Sequence, residues 1–190
     1  MQISLRGLAT SIHGMLFGAF FLLTIFGVLV ELCRQFGETR PAEQSARARL
    51  LESLYLTATA ALGWAAVLSG AYIVFPWYRA VPPAGAINLE PWPQALLRSS
   101  RLTAGWHTFG MEWKEHVAWF APMAMTTVAW IFIRYRTQVR TVPHLRTALL
   151  LFTLAAFGSA AAAGLFGAMI NKHAPVAGIR TAINIMESTR

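Results

Sequence analysis

Cysteine and charge are both scarce in this chain. Among 190 residues there is one cysteine, Cys33, and only 13% of the residues are charged. A single cysteine excludes an internal disulfide, a cysteine-based metal cluster and the Cys-x-x-Cys-His segment that attaches haem covalently. Because soluble domains carry about 25% charged residues, the shortage of charge also argues against a soluble globular protein.

Long apolar runs take the place of the missing charge. The apolar residues make up 56% of the chain, and the mean hydropathy is +0.48. A helix needs about 20 residues to cross a hydrocarbon core of about 30 Å, and only helices and closed barrels satisfy the backbone in lipid. The sequence therefore predicts an all-α integral membrane protein, a single membrane domain built as a four-helix up-down bundle. The uncharged runs are 7–30, 53–78, 117–133 and 147–171, and the predicted spans are 11–33, 52–77, 114–134 and 145–171.

Short interfacial helices are predicted outside the four spans. The segment 79–113 reads as a loop on one side of the membrane, and 93–104 within it alternates leucines with Arg98 and Arg101, which is typical of a helix lying on the membrane surface. The C-terminal tail, 172–190, carries apolar residues at helical spacing and is predicted to lie flat as well.

Cations are distributed unevenly between the two sides of the membrane. Segments 31–52 and 134–146 hold Lys and Arg at twice the density of the termini and the 79–116 segment. The positive-inside rule assigns the denser side to the cytoplasm, so both termini are predicted to be extracytoplasmic in a multi-pass protein of the cell (inner) membrane. The net charge is +8. The Lys and Arg residues flank the apolar spans and do not form one basic face, which favours the lipid bilayer as partner and argues against nucleic acid.

Histidines supply the strongest hint of chemistry. His13 lies inside the first uncharged run, and His116 stands at the start of the third span. Alternate helices of an up-down bundle sit diagonally across its core, so His13 and His116 are predicted to face each other at similar depth and to ligate one haem b as axial ligands. His107 and His173 are second-choice ligands. Each of these histidines has the alternative of being an ordinary interfacial residue.

One haem near the outer face leads to a functional hypothesis. Such a group exchanges electrons between membrane quinone and an extracytoplasmic redox partner, for example a cytochrome. Glu112 and Glu115 are the candidates for contact with the quinone ring or for proton uptake. The chain then reads as an electron-transfer or accessory subunit of a respiratory complex more than as a stand-alone enzyme.

Two alternatives stay open at this stage. The first is a non-catalytic structural or anchor subunit of a larger respiratory or photosynthetic membrane complex, favoured by the low intramembrane charge and the Ala- and Gly-rich fourth span. The second is a non-haem metal site at the outer face, built from His107, His116 and His173 with Glu112 or Glu115. The sequence contains no Gly-rich phosphate loop and no His-Glu-x-x-His metal motif.

Overall fold

The computed structural model of the protein describes residues 4–37 and 45–176. Helix accounts for 85% of these residues, and none of them forms a strand. Four helices are long and apolar enough to span a membrane, which confirms the prediction of an all-α, multi-pass protein. The helices, in chain order, are α1 (Leu5–Arg34), α2 (Ala46–Tyr78), α3 (Pro93–Arg98), α4 (Arg101–Arg134), α5 (Arg136–Thr141) and α6 (Pro143–His173).

Local sequence explains where these helices begin. The side chain of Ser4 accepts a hydrogen bond from the amide of Gly7 at 3.1 Å, and Ser45 accepts one from the amide of Ala48 at 3.2 Å. Serine at this position satisfies one of the amides that a helix start leaves without a partner. Helix α6 begins with Pro143, whose fixed φ suits the first helical position.

Every long helix extends past the predicted span. The largest difference is in α4, which begins at Arg101, inside the predicted surface helix 93–104, and continues through 105–113, a segment that the sequence predicts as loop. Hydropathy marks only the part of a helix that lies in hydrocarbon, whereas backbone hydrogen bonding continues into the polar segments on either side. His107 therefore lies on a helix and not in a loop. The tail beyond residue 176 lies outside the described residues.

The long helices pack in a ring of neighbours. Helix α1 packs on α2 and α6, and α4 packs on the same two helices. Bare backbone permits the close approach of α1 and α2, since a Cβ on Gly63 would lie 2.6 Å from the ring of Phe21. The shared core consists of apolar side chains from all four helices, including Phe21, Ile25, Val28 and Leu32 of α1, Leu56 of α2, Met125, Val128 and Phe132 of α4, and Leu149 and Ala156 of α6.

The arginine-rich end of the molecule is the end where α2 begins and α4, α5 and α6 meet. There Arg136 donates to the carboxylate of Glu52 at 2.6 Å and to Ser53 Oγ at 2.8 Å, and Arg140 lies 3.9 Å from the same carboxylate. Both partners of the Arg136–Glu52 pair are largely buried, with 16% and 14% of their side chains exposed. The two segments that the sequence marked as richest in cations therefore meet at one end.

The opposite end holds four of the five histidines, and we call it the histidine-rich end (His13, His107, His116 and His173). A second apolar cluster closes this end of the molecule. Leu97 of α3, one of the leucines of the predicted surface helix, lies inside this cluster and is 1% exposed. The cluster consists of Tyr78, Leu97, Met111, Ile170, Ala174 and Val176. Helix α3 is thus tied to the ends of α2, α4 and α6.

Glu52→Gln should lower the free energy of unfolding by about 3 kcal/mol, because it leaves the buried Arg136 guanidinium without its carboxylate. Thermal unfolding in detergent measures the change. Arg47→Gln, which removes an exposed charge from the same helix, is the control and should shift stability by less than about 0.5 kcal/mol. Equal effects of the two substitutions would contradict a structural role for the pair.

Candidate functional site

His13 of α1 is half-buried against α2. Its Nδ1 lies 3.0 Å from Ser69 Oγ, and the Ser69 hydroxyl in turn donates to the carbonyl of Ala66 at 3.1 Å. When the Ser69 hydroxyl gives its one proton to Ala66, its oxygen accepts from a hydrogen on His13 Nδ1. This tautomer leaves the lone pair of the neutral ring on Nε2.

A glycine makes room for this imidazole. A Cβ on Gly70 would lie 2.7 Å from Cε1 and 3.3 Å from Nε2 of His13. The ring therefore rests on bare helix backbone, one residue after the serine that holds Nδ1. Ser69 and Gly70 together fix both the position and the orientation of His13.

Lys114 of α4 is the second ionisable group that turns inward. Its side chain is half-buried, and a Cβ on Gly167 of α6 would lie 2.7 Å from Nζ. The ammonium also lies within electrostatic range of His13. Within residues 4–37 and 45–176, Lys114 has neither a hydrogen bond nor an ion pair.

The helices are wound more loosely around these residues. Hydrogen bonds of the π-helical kind occur at Ile12–Ala19 in α1, Gly70–Val74 in α2, and Trp106–Met111 and Trp113–Val117 in α4. All four segments lie at the histidine-rich end. Such widened turns are rare and are frequent at functional sites, so their grouping supports placing the site at this end.

A second polar group joins α2, α3 and α4. His107 Nδ1 lies 2.7 Å from the hydroxyl of Tyr78, and its Nε2 lies 3.5 Å from the amide nitrogen of Gln94. Tyr78 is only 3% exposed, so its hydroxyl needs this partner. Charges on Arg98 and Glu115 act on the Tyr78–His107 pair from nearby.

His116 lies on the surface of α4. Its Nδ1 is 3.1 Å from the carbonyl of Glu112 and 3.4 Å from the Glu112 carboxylate, and 71% of its side chain is exposed. Because both neighbours are acceptors, Nδ1 carries the hydrogen here too. The two histidines predicted to share a haem are thus placed differently, His13 against α2 and His116 on an outward face, with no interaction between them in the described structure.

His173, the remaining second-choice ligand, stacks on an aromatic ring. Its ring centre lies 6.4 Å from that of Trp106, with planes inclined by 16°. It lies at the exposed last turn of α6. In the described part of the chain, no three His, Cys, Asp or Glu side chains are grouped closely enough to hold a metal ion, so the non-haem alternative has no grouped ligand set there.

Sequence reasoning missed Ser69, Gly70, Lys114 and Tyr78. Lys114 stands between Glu112 and Glu115, which made it appear to be part of a charged, wetted helix start. A glycine beside an intramembrane serine gives no chemical signal of its own. The available signal was the position of His13 inside an apolar run, which required some polar partner on a neighbouring helix.

Comparisons with known proteins leave the site to be interpreted from its geometry. No protein family matches the chain, and no significant match was found among curated proteins or solved structures.

Gly70→Ala should lower the free energy of unfolding by about 1–3 kcal/mol, because the added methyl group overlaps the His13 ring. Gly14→Ala is the control, since a Cβ there meets nothing within 4 Å, and it should leave stability unchanged or raise it. Thermal unfolding of both variants in one detergent measures the difference. A Gly70→Ala protein as stable as the Gly14→Ala protein would contradict the close packing of His13 on α2.

Tyr78→Phe should lower the free energy of unfolding by about 1 kcal/mol, because it removes one buried hydrogen bond. Tyr72→Phe is the control, because Tyr72 lies on the same helix and is 73% exposed. Chemical unfolding monitored by circular dichroism measures both. If the two substitutions have the same effect, the Tyr78–His107 bond makes no net contribution to stability.

Proposed function

We propose that this chain is a small membrane electron-transfer subunit of the cytochrome b type. His13 and His116 would hold one haem b near the extracytoplasmic face, and the haem would supply one-electron chemistry between quinone and an extracytoplasmic redox partner. In this proposal the four long helices form an up-down bundle in the cell membrane, with both termini extracytoplasmic and α3 at the membrane interface.

The observation that carries the proposal is the state of the two imidazoles. In each, Nδ1 lies within hydrogen-bond distance of an oxygen, Ser69 Oγ for His13 and the Glu112 carbonyl for His116. With the hydrogen on Nδ1, the lone pair lies on Nε2, to which no described residue makes a hydrogen bond. Histidines that ligate metals are held in this way by the ring nitrogen that does not face the metal. Bound haem would supply one-electron redox chemistry, while the protein fixes tautomer and ring orientation.

Other polar groups at the histidine-rich end suit the proton chemistry of a quinone. Reduction of a quinone takes up protons with the electrons, so a site for it needs groups that donate and accept them. His107 and Tyr78 form such a pair, and the Glu115 charge lies near them. Glu112, bound to His116, is exposed at the same end.

The axial ligands are tested by single substitutions. His13→Ala and His116→Ala should each abolish the reduced-minus-oxidised α-band of the purified protein, since low-spin haem b needs both ligands. His144→Ala, at the exposed start of α6, is the control and should retain the band. Haem retained by both His13→Ala and His116→Ala would overturn the proposal.

The two variants also test the pairing of the ligands. The structure places the rings on different helices and faces. If His13→Ala loses haem and His116→Ala keeps it, the second ligand is a residue other than His116. His107→Ala and His173→Ala would then be measured in the same way.

An anchor subunit of a larger membrane complex is the second candidate. A Cβ added to Gly14 of α1 or to Gly158 of α6 would meet nothing within 4 Å. These small residues therefore leave open surface strips on which the helices of another chain can pack closely. Isolation of the protein from its native membrane favours this candidate if other subunits co-purify stoichiometrically and the chain itself contains no haem.

A further inference from the structure

Lys114 is placed unusually for a lysine at a membrane boundary. The uncharged run of α4 begins at residue 117, so Lys114 precedes it by three residues, or about 4.5 Å of helix. Lysines at this depth normally extend toward water along the protein surface. Here Nζ lies against Gly167, which is inside the uncharged run of α6. The ammonium thus lies beside the apolar part of α6.

The acids of the same region do not neutralise this ammonium. Glu112 is engaged with His116, and Glu115 is exposed and acts on Tyr78 and His107. In the two described ranges no carboxylate lies within ion-pair distance of Lys114 Nζ. The nearby imidazole of His13 has its Nδ1–H directed to Ser69 and supplies no negative charge.

A partly buried ammonium needs an anion or strong acceptors around it. At the boundary between hydrocarbon and head groups, the most abundant anion is the phosphate of the lipids themselves. We call the surroundings of Lys114 Nζ, next to Gly167 and His13, the Lys114 slot. Lys114 as a whole residue is half-buried, so part of its side chain reaches the surface of the protein.

We propose that the Lys114 slot binds the phosphate of a phospholipid head group from the surrounding leaflet. The ammonium of Lys114 supplies the charge-assisted hydrogen bond. Gly167 keeps the space open because it has no side chain. The slot adjoins His13, a proposed haem ligand, but the lipid proposal does not require haem to be bound.

Lipid binding to the full chain tests the proposal. The protein is stripped of lipid in detergent and titrated with phosphatidylglycerol, and the bound lipid is counted by native mass spectrometry. Lys114→Met, which keeps the length of the side chain and removes its charge, should weaken binding by about fivefold or more. Lys172→Met, at the exposed end of α6, should change it by less than about twofold.

The slot itself is tested by a glycine pair. Gly167→Ala, whose methyl group displaces Nζ, should weaken phosphatidylglycerol binding in the same direction, whereas Gly158→Ala should leave it unchanged. These variants keep the test decisive if Lys114→Met does not fold. Diacylglycerol with the same acyl chains should bind much more weakly than phosphatidylglycerol, because it has no phosphate.

Three results would overturn the proposal. Lys114→Met and Gly167→Ala could both bind phosphatidylglycerol as the unmodified chain does. Inorganic phosphate could compete with phosphatidylglycerol at equal concentration, which assigns the slot to a soluble anion. Lys114→Met could bind lipid normally but hold haem poorly, which assigns the ammonium to a haem propionate and leaves the proposed function standing.

Discussion

Backbone amides and carbonyls find no water in the hydrocarbon of a bilayer, and this constraint shapes the whole molecule. It forces the four uncharged runs into helices whose hydrogen bonds are internal. The same constraint applies to side chains, which need polar partners from neighbouring helices. Across α1 and α2, Tyr55 donates to the carbonyl of Thr24 at 2.9 Å, and across α2 and α4, Trp64 donates to Thr126 at 3.0 Å.

Ionisable groups are concentrated at the two ends of the helices, and the two ends treat them differently. At the arginine-rich end, the charges of Glu52 and Arg136 neutralise each other in an ion pair. This pair stabilises the packing of α2 against the start of α5. At the histidine-rich end, His13 and Lys114 lie on bare glycine backbone, and Lys114 has no anion among the described residues. An ammonium without an anion near lipid is costly, and the proposed lipid phosphate would remove that cost at Lys114.

Much of the fold was predictable because apolar length is a direct physical requirement. The number of spans, their helical nature and the meeting of the cation-rich segments at one end all follow from run length and charge. The helix ends were not predictable to the same degree. Helix α4 begins 13 residues before its predicted start, at Arg101, because helical hydrogen bonding tolerates polar residues beyond the hydrocarbon.

The sequence by itself determined that this chain has four helices long and apolar enough to span a membrane, and that His13 lies within one of them. Only the tertiary structure decided which residues His13 contacts. The contacts of His13 with Ser69 and Gly70, and of Lys114 with Gly167, join residues more than fifty positions apart on different helices. Helix rotation about its own axis sets which side chains meet, and hydropathy without strong amphipathic periodicity does not specify that rotation.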